Sequence, residues 1–353
     1  MSKKPSSKQN IFSEDYVKKN ILHHYDLEDS TIGLIKFKDT QKHRAVYKIS
    51  SKSAAFCLKK IYFNEDSLLF VYSALQWLWK KGIKTPILIN TKDGLKYVKH
   101  DGMIFILTPW VDGYKCDFDN LDHIVLSVRQ LAHIHNSSRS FFPIKGSEDR
   151  VGLNSYYISI LKHFNHLLTS YNKAVSTKDK FSNIFLENFE DNLFLAKKSL
   201  EIASRIDDDE LSKSICHGDY VSKNILFDND NNIWVIDLDK CKYDYSIRDL
   251  GYFLRRLLRR DNTCFNLELA LSLLREYNYH SKLTPSDLRY LVTYISFPQK
   301  FWKISKDYFK NIGKCNKSAF ITLLIKSNEK LNFQIDFVKE IIPRIEKEYN
   351  ITL

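Results

Sequence analysis

Residues 214–240 read SICHGDYVSKNILFDNDNNIWVIDLDK. The stretch parses as a loop, the short strand NILF, an Asp/Asn-rich turn and the strand IWVID, a hairpin set between helical segments. Three polar side chains mark it at fixed intervals: Asp219 in the loop, Asn224 five positions on, and Asp237 at the end of the second strand. Phosphoryl transfer asks little covalent help of a protein. It needs an acceptor oxygen held in line and a metal that neutralises the phosphate charge. Asp219 is placed to orient an acceptor hydroxyl and take its proton, while Asn224 and Asp237 offer the oxygen ligands that Mg2+ prefers. Gly218 permits the tight loop, and His217 fits a bracing role better than a catalytic one.

Upstream, TIGLIKF (31–37), RAVYKIS (44–50) and AAFCLKKI (54–61) alternate apolar and polar residues, and polar pieces such as KDTQKH separate them. They predict three antiparallel strands. SLLFVYSALQWLWKKG (67–82) has helical length and ends in lysines and a glycine, the pattern of a helix C-terminus. PILIN (86–90) and YVKHDGMIFILTPW (97–110) read as two further strands. Together these predict a small lobe at 30–110 with a five-stranded antiparallel sheet and one main helix, preceded by a polar extension and lead-in helix at 1–29. VDGYKCDFDN (111–120) lacks periodicity and reads as a hinge. From 121 to 353 the apolar residues recur mostly at helical spacing, interrupted by the catalytic loop at 215–240. The fold class is α+β in two lobes.

A lysine on the third strand suits the α- and β-phosphates of a nucleotide. Lys59 occupies that strand in phase with Cys57, and Lys60 points to the opposite side. The glutamate that normally pairs with such a lysine is absent from the helix interior between Ser67 and Trp79. Glu65, at the helix start, is the expected partner, although an acid there also favours the positive end of the helix dipole. No GxGxxG loop lies among the first strands.

Composition bounds the rest. The 353 residues are 44% hydrophobic and 14% aromatic, too apolar for a disordered chain. Lys and Arg exceed Asp and Glu by 54 to 42, a net +12, but no nucleic-acid-binding signature accompanies the charge. The six cysteines lack CxxC pairs or zinc spacing, and the expectation is reduced thiols. Neither a signal peptide nor a membrane span is read from the sequence.

HGDYVSKNILFD (217–228), followed by IDLD and then Asp249-Leu250, resembles the signature of the aminoglycoside and choline kinase group, with LAHIH (131–135) resembling that group's helix end. The resemblance implies a two-lobed protein-kinase-like fold in which Asp249 braces the catalytic loop. Within that group the chain is similar to the CotS-type spore coat proteins. The carriers are VIDLDKCKYDYSIRDLGYFLRR (235–256), SFPQKFW (296–302), FCLKKI (56–61) and the helix that follows it. What this implies is synthesis in the mother-cell cytoplasm and deposition in the spore coat, with ATP or another nucleoside triphosphate and Mg2+ as cofactors. It implies a small-molecule or coat-component hydroxyl as acceptor, and other coat proteins as partners. The alternative is an inactive kinase-like scaffold that serves coat assembly. Asp239 departs from the usual aromatic-glycine pattern after the metal aspartate. It is open to assisting the metal, binding an acceptor amine, or making a structural hydrogen bond.

Overall fold

The structure, a computed structural model, describes residues 12–38 and 44–353. Most of the N-terminal stretch expected as a polar extension, and residues 39–43, lie outside the described residues. In chain order the elements are α1 (Glu14–Asn20), β1 (Thr31–Lys38), β2 (Arg44–Ser50), β3 (Ala55–Lys60), α2 (Glu65–Lys80), β4 (Val98–His100), β5 (Met103–Pro109) and β6 (Tyr114–Lys115). There follow α3 (Leu121–Ser137), α4 (Tyr156–Thr177), α5 (Lys180–Glu187), α6 (Phe189–Ala203), β7 (Lys213–Cys216), β8 (Ile225–Phe227), β9 (Ile233–Val235) and β10 (Lys242–Tyr245). The chain ends in α7 (Ile247–Leu258), α8 (Leu267–His280), α9 (Pro285–Ser296), α10 (Gln299–Lys310), α11 (Lys317–Asn328) and α12 (Leu331–Tyr349). The chain forms two compact units, the first of residues 1–116, 140–150 and 222–242, the second of 117–139, 151–221 and 243–353.

In the first unit, five antiparallel strands run in the order β1-β2-β3-β5-β4. The alternation in RAVYKIS becomes a two-faced strand. Ala45, Tyr47 and Ile49 join Leu58, Phe105, Leu107, Val17 of α1 and Ile21 and Leu22 just after it in one apolar core. Tyr47 is fully buried, and its hydroxyl donates to the Phe12 carbonyl at 2.8 Å, so the ring packs without leaving a polar group unsatisfied. The register pairs Val46 with Lys59 and Lys59 with Ile106, which puts these three on the opposite face.

Helix α2 starts at Asn64, whose side chain accepts from the Ser67 N–H. It ends in the paired bonds Ile83 N–H to Leu78 O and Gly82 N–H to Trp79 O. The sheet has the expected five strands but not the expected fourth. PILIN forms no strand and is tied to β5 by the Ile89 N–H to Leu107 O bond, while the ladder beside the start of β5 is taken by β4. YVKHDGMIFILTPW instead folds back on itself at Asp101-Gly102, giving both β4 and β5.

A second sheet, in the order β6-β8-β9, carries the hairpin. Its turn is organised by Asp228, whose carboxylate accepts from the N–H groups of Asp230 and Asn232 and from the Trp234 indole. Gly113 lies so close to β8 that an added Cβ would sit 2.5 Å from the Phe227 carbonyl oxygen.

The second unit is mainly helical, with α9 packed on α6 and α7, α3 on α8, and α4 on α5 and α6. Thr284, Pro285 and Asp287 form the predicted helix start of α9 as a complete capping box. None of the six cysteines forms a disulfide, and Cys116, Cys216 and Cys241 are buried. No helix among the described residues is long and apolar enough to cross a membrane.

Candidate functional site

In the first unit, the face of the sheet that carries Val46, Lys59 and Ile106 borders a cavity of about 470 Å3. Val71 and Leu75 of α2, the segment Pro109–Gly113, and Asn224, Leu226, Ile236, Asp237 and Asp239 of the hairpin complete its lining. The hairpin brings its own two ends together. The Ile236 N–H donates to the Asn224 carbonyl at 3.0 Å, so Asn224 and Asp237 lie on neighbouring strands' ends rather than thirteen residues apart along a line. Asp237 itself takes φ 66° and ψ 50°, a left-handed conformation that Asp tolerates better than most side chains. The turn it makes leads straight into a 3-10 turn, Leu238–Lys240.

Lys59 meets this hairpin. Its Nζ donates to Asp237 Oδ1 at 2.6 Å and to Asp239 Oδ1 at 3.3 Å. Burial pulls the Lys59 ammonium's pKa down, and the Asp239 and Asp237 carboxylates more than reverse the effect, holding it above its ordinary value. The side chains remain partly accessible, 19% for Lys59, 38% for Asp237 and 17% for Asp239, so a ligand in the cavity can reach the cluster. Asp239 is positioned from behind: the Arg150 guanidinium donates to its carbonyl at 2.9 Å.

The expectation that Glu65 pairs with Lys59 is corrected. Glu65 accepts from Tyr97 at 2.6 Å and from Lys99, which together hold its carboxyl below the ordinary range. The reason is positional. Glu65 is the first residue of α2 and stands beside β4, where Lys99 lies, whereas Lys59 finds two carboxylates on the hairpin. The side of β3 to which Lys59 points, left open by the alternation alone, is the cavity side.

In the second unit the HGD loop is held from beneath. Asp249, only 2% exposed, accepts from the backbone N–H groups of both His217 and Gly218, the latter at 3.0 Å. Burial pushes the Asp249 carboxyl upward, but the neighbouring His135 and His217 and these N–H donors outweigh it and hold the pKa low. His135 is anchored in turn by a 2.6 Å bond between Nδ1 and the Tyr277 hydroxyl. Gly218 takes φ 73°, which a side chain would strain. His217 Nδ1 accepts from the Asp219 N–H at 3.2 Å, and the Tyr220 hydroxyl donates to the Ser127 carbonyl at 2.8 Å. The loop's backbone is therefore fixed on both sides of Asp219. The Asp219 carboxylate accepts from Tyr252 at 3.3 Å, and Tyr252 accepts from Arg256 at 2.8 Å.

Arg150, Tyr252 and Arg256 were not among the residues picked out as the site from the sequence. Tyr252 and Arg256 follow Asp249 at helical spacing on α7, a signal available only once Asp249 is known to lie under the loop.

Residues 35–282 match the phosphotransferase enzyme family known as APH. Among curated proteins, the chain is similar to spore coat protein S of Bacillus subtilis (strain 168), 21% identical over 305 residues that cover 84% of this chain and 85% of that protein. Among solved structures, it resembles an aminoglycoside phosphotransferase from Alicyclobacillus acidocaldarius subsp. acidocaldarius DSM 446, with a TM-score of 0.76, 16% identity, and 93% and 96% of the two chains covered. A spectinomycin phosphotransferase in complex with ADP and spectinomycin gives a TM-score of 0.64 at 17% identity, with 93% and 98% covered. These likenesses establish the kinase-like phosphotransferase fold for both units.

Proposed function

We propose that this chain, which belongs to the phosphotransferase enzyme family, binds a nucleoside triphosphate such as ATP in the cavity of its first unit and transfers a phosphoryl group to a hydroxyl. The observation that carries the reading is the bonding of Lys59 to Asp237 and Asp239 at the edge of a cavity whose lining also includes apolar side chains such as Val46, Ile106, Leu226 and Ile236. A volume of about 470 Å3 falls in the range of small-molecule sites, and Val46, Ile106, Leu226 and Ile236 provide flat apolar surfaces for a base.

Lys59 would hold the phosphates next to the base. The donor set beside it fits a hard divalent cation: Asn224 and Asp237 present an amide and a carboxylate oxygen from adjoining hairpin ends. Mg2+ bound there supplies charge neutralisation for the triphosphate. When Asp237 turns to such a cation, Lys59 keeps a carboxylate partner in Asp239. On this reading Asp239 takes the place of the glutamate missing from α2.

Asp219 acts at the acceptor. It orients the hydroxyl and takes its proton as the oxygen bonds to the γ-phosphorus, the bond from that phosphorus to the bridging oxygen breaks, and the nucleoside diphosphate leaves. The bonds from Asp249 to the loop backbone fix where Asp219 stands, and His217 braces the same turn. The acceptor is a small molecule or a coat component. A location in the spore coat and contacts with other coat proteins are read from the similarity to spore coat protein S. Extracted coats that lack the protein would remove that part of the reading.

A second reading, an inactive scaffold, rests on the absence of a glutamate in the middle of α2. The two are separated by phosphate release or transfer from Mg2+-ATP. Asp219→Ala is expected to keep nucleotide affinity within a few-fold and to lose turnover by roughly a hundredfold or more, the scale of a positioned general base. Wild-type protein that binds nucleotide but shows no turnover with any hydroxyl acceptor would favour the scaffold.

A further inference from the structure

Near Tyr252, which bonds Asp219, the second unit carries cations without a carboxylate in ion-pair contact. Five of the eleven arginines of this unit sit against carboxylates: Arg129 on Glu276, Arg248 on Asp244, Arg260 on Asp119, Arg275 on Glu348 and Arg344 on Glu268. Arg255, Arg256 and Arg259, close together at the end of α7, and Lys300 are not so paired. Among the described residues none of them has a carboxylate within 4.0 Å. Arg255 lies over the Tyr294 ring at 4.2 Å and donates to its hydroxyl, Arg256 donates to Tyr252, and Arg259 donates to the Ser327 carbonyl at 3.3 Å.

These groups feel one another. Burial and the neighbouring Arg255 hold Arg259 below the ordinary arginine value. Burial, Arg259 and Arg256 hold Lys300 below the ordinary lysine value, with Glu329 acting weakly the other way. A patch of like charge that destabilises its own protonated state is relieved by a bound anion. Its position is informative, because Arg256 stands two hydrogen bonds from Asp219, through Tyr252.

Resting on the reading of Asp219 as the acceptor-side base, we propose that the acceptor is an anionic hydroxyl compound, its phosphate or carboxylate held by Arg256, Arg255, Arg259 and Lys300. The same patch repels cationic amino sugars and quaternary amino alcohols, whose charge would be placed among guanidinium groups. The chain thus keeps its family's fold but presents to the acceptor a field of the sign that selects acids. Tyr252 ties this recognition to the chemistry, since one hydroxyl contacts both Asp219 and Arg256.

Calorimetric titration of the full chain with inorganic phosphate, with acetate and with choline tests this without any turnover. Phosphate or acetate should bind, and the better of the two tells a phosphate-bearing from a carboxylate-bearing acceptor. Arg256→Gln and Lys300→Gln, each checked for an unchanged thermal transition, should weaken that anion roughly tenfold or more. Choline should give no heat. Anion binding unaltered in both variants, absence of binding by either anion, or binding of choline alone would each overturn the proposal. A parallel titration with Mg2+-ADP keeps the two ideas apart: ADP binding without anion binding rejects only the anionic acceptor, and anion binding without ADP binding rejects only the nucleotide site.

Discussion

The charged groups of the two units are arranged in opposite ways. In the first unit, Lys59, Asp237 and Asp239 share their bonds at the rim of a cavity, each with part of its side chain accessible. In the second, Asp249 is buried beneath a loop and spends its oxygens on backbone N–H groups. An ion triad at a cavity can exchange partners when a ligand arrives, because water and ligand replace what the protein gives up. A carboxylate sealed under a turn cannot, since its loss strands donors away from water. The groups proposed to bind are left exchangeable, whereas the backbone that carries Asp219 is fixed.

Breaking the fixed side should have the largest effect on stability. Asp249→Ala leaves the His217 and Gly218 N–H groups without their acceptor and is expected to cost about 3 kcal/mol or more in urea unfolding. A cost below about 1 kcal/mol would mean that the loop does not depend on this brace. Acid should act on the same unit through a different residue. His163, packed against Trp302 at 3.7 Å between ring centroids, is held at a pKa of about 4, chiefly by burial and then by the nearby His166 and Lys306. Above its ordinary value of 6.5 both folded and unfolded chains leave the ring neutral, and stability is full. As pH falls from 6.5 toward 4 only the unfolded chain takes up the proton, so stability declines by up to about 3 kcal/mol. His163→Phe should flatten that part of the pH profile, and an unchanged slope would assign it to other groups.

The exchangeable side should respond in ligand affinity with less change in stability. Lys59→Met is expected to weaken Mg2+-ADP roughly tenfold or more by calorimetry, the loss of a charge-assisted contact, while the unfolding midpoint moves by only a few degrees. Asp239→Asn should be milder, a several-fold loss, because Asp237 remains near Lys59. An Asp239→Asn effect as large as that of Lys59→Met would mean that Asp239 does more than hold the lysine.

Much of the fold was legible because its signals are local. The two-residue period of RAVYKIS, the capped and glycine-ended α2, and the turn chemistry around Asp228 each depend on neighbours in the chain. The fourth strand was misread for a tertiary reason: PILIN has strand composition, yet the hairpin at Asp101-Gly102 gives β5 its partner first. The partner of Lys59 was out of reach in the same way. Nothing local distinguishes Glu65 from the hairpin carboxylates, since the choice turns on β3 facing the cavity and β4 placing Lys99 beside α2. Asp239 carried a signal, as an unexpected carboxylate after Asp237, but not one that named its partner. Tyr252 and Arg256 join the loop only because α7 packs beneath it, a fact of packing and not of pattern.

The most direct test of the nucleotide reading is calorimetric titration of ADP into the full chain with and without Mg2+, repeated on Asp237→Ala. The account predicts binding that Mg2+ strengthens in the wild type and a loss of that Mg2+-dependent gain in Asp237→Ala. Failure of the wild-type chain to bind ADP under either condition, or an equal Mg2+ effect in the variant, would contradict it.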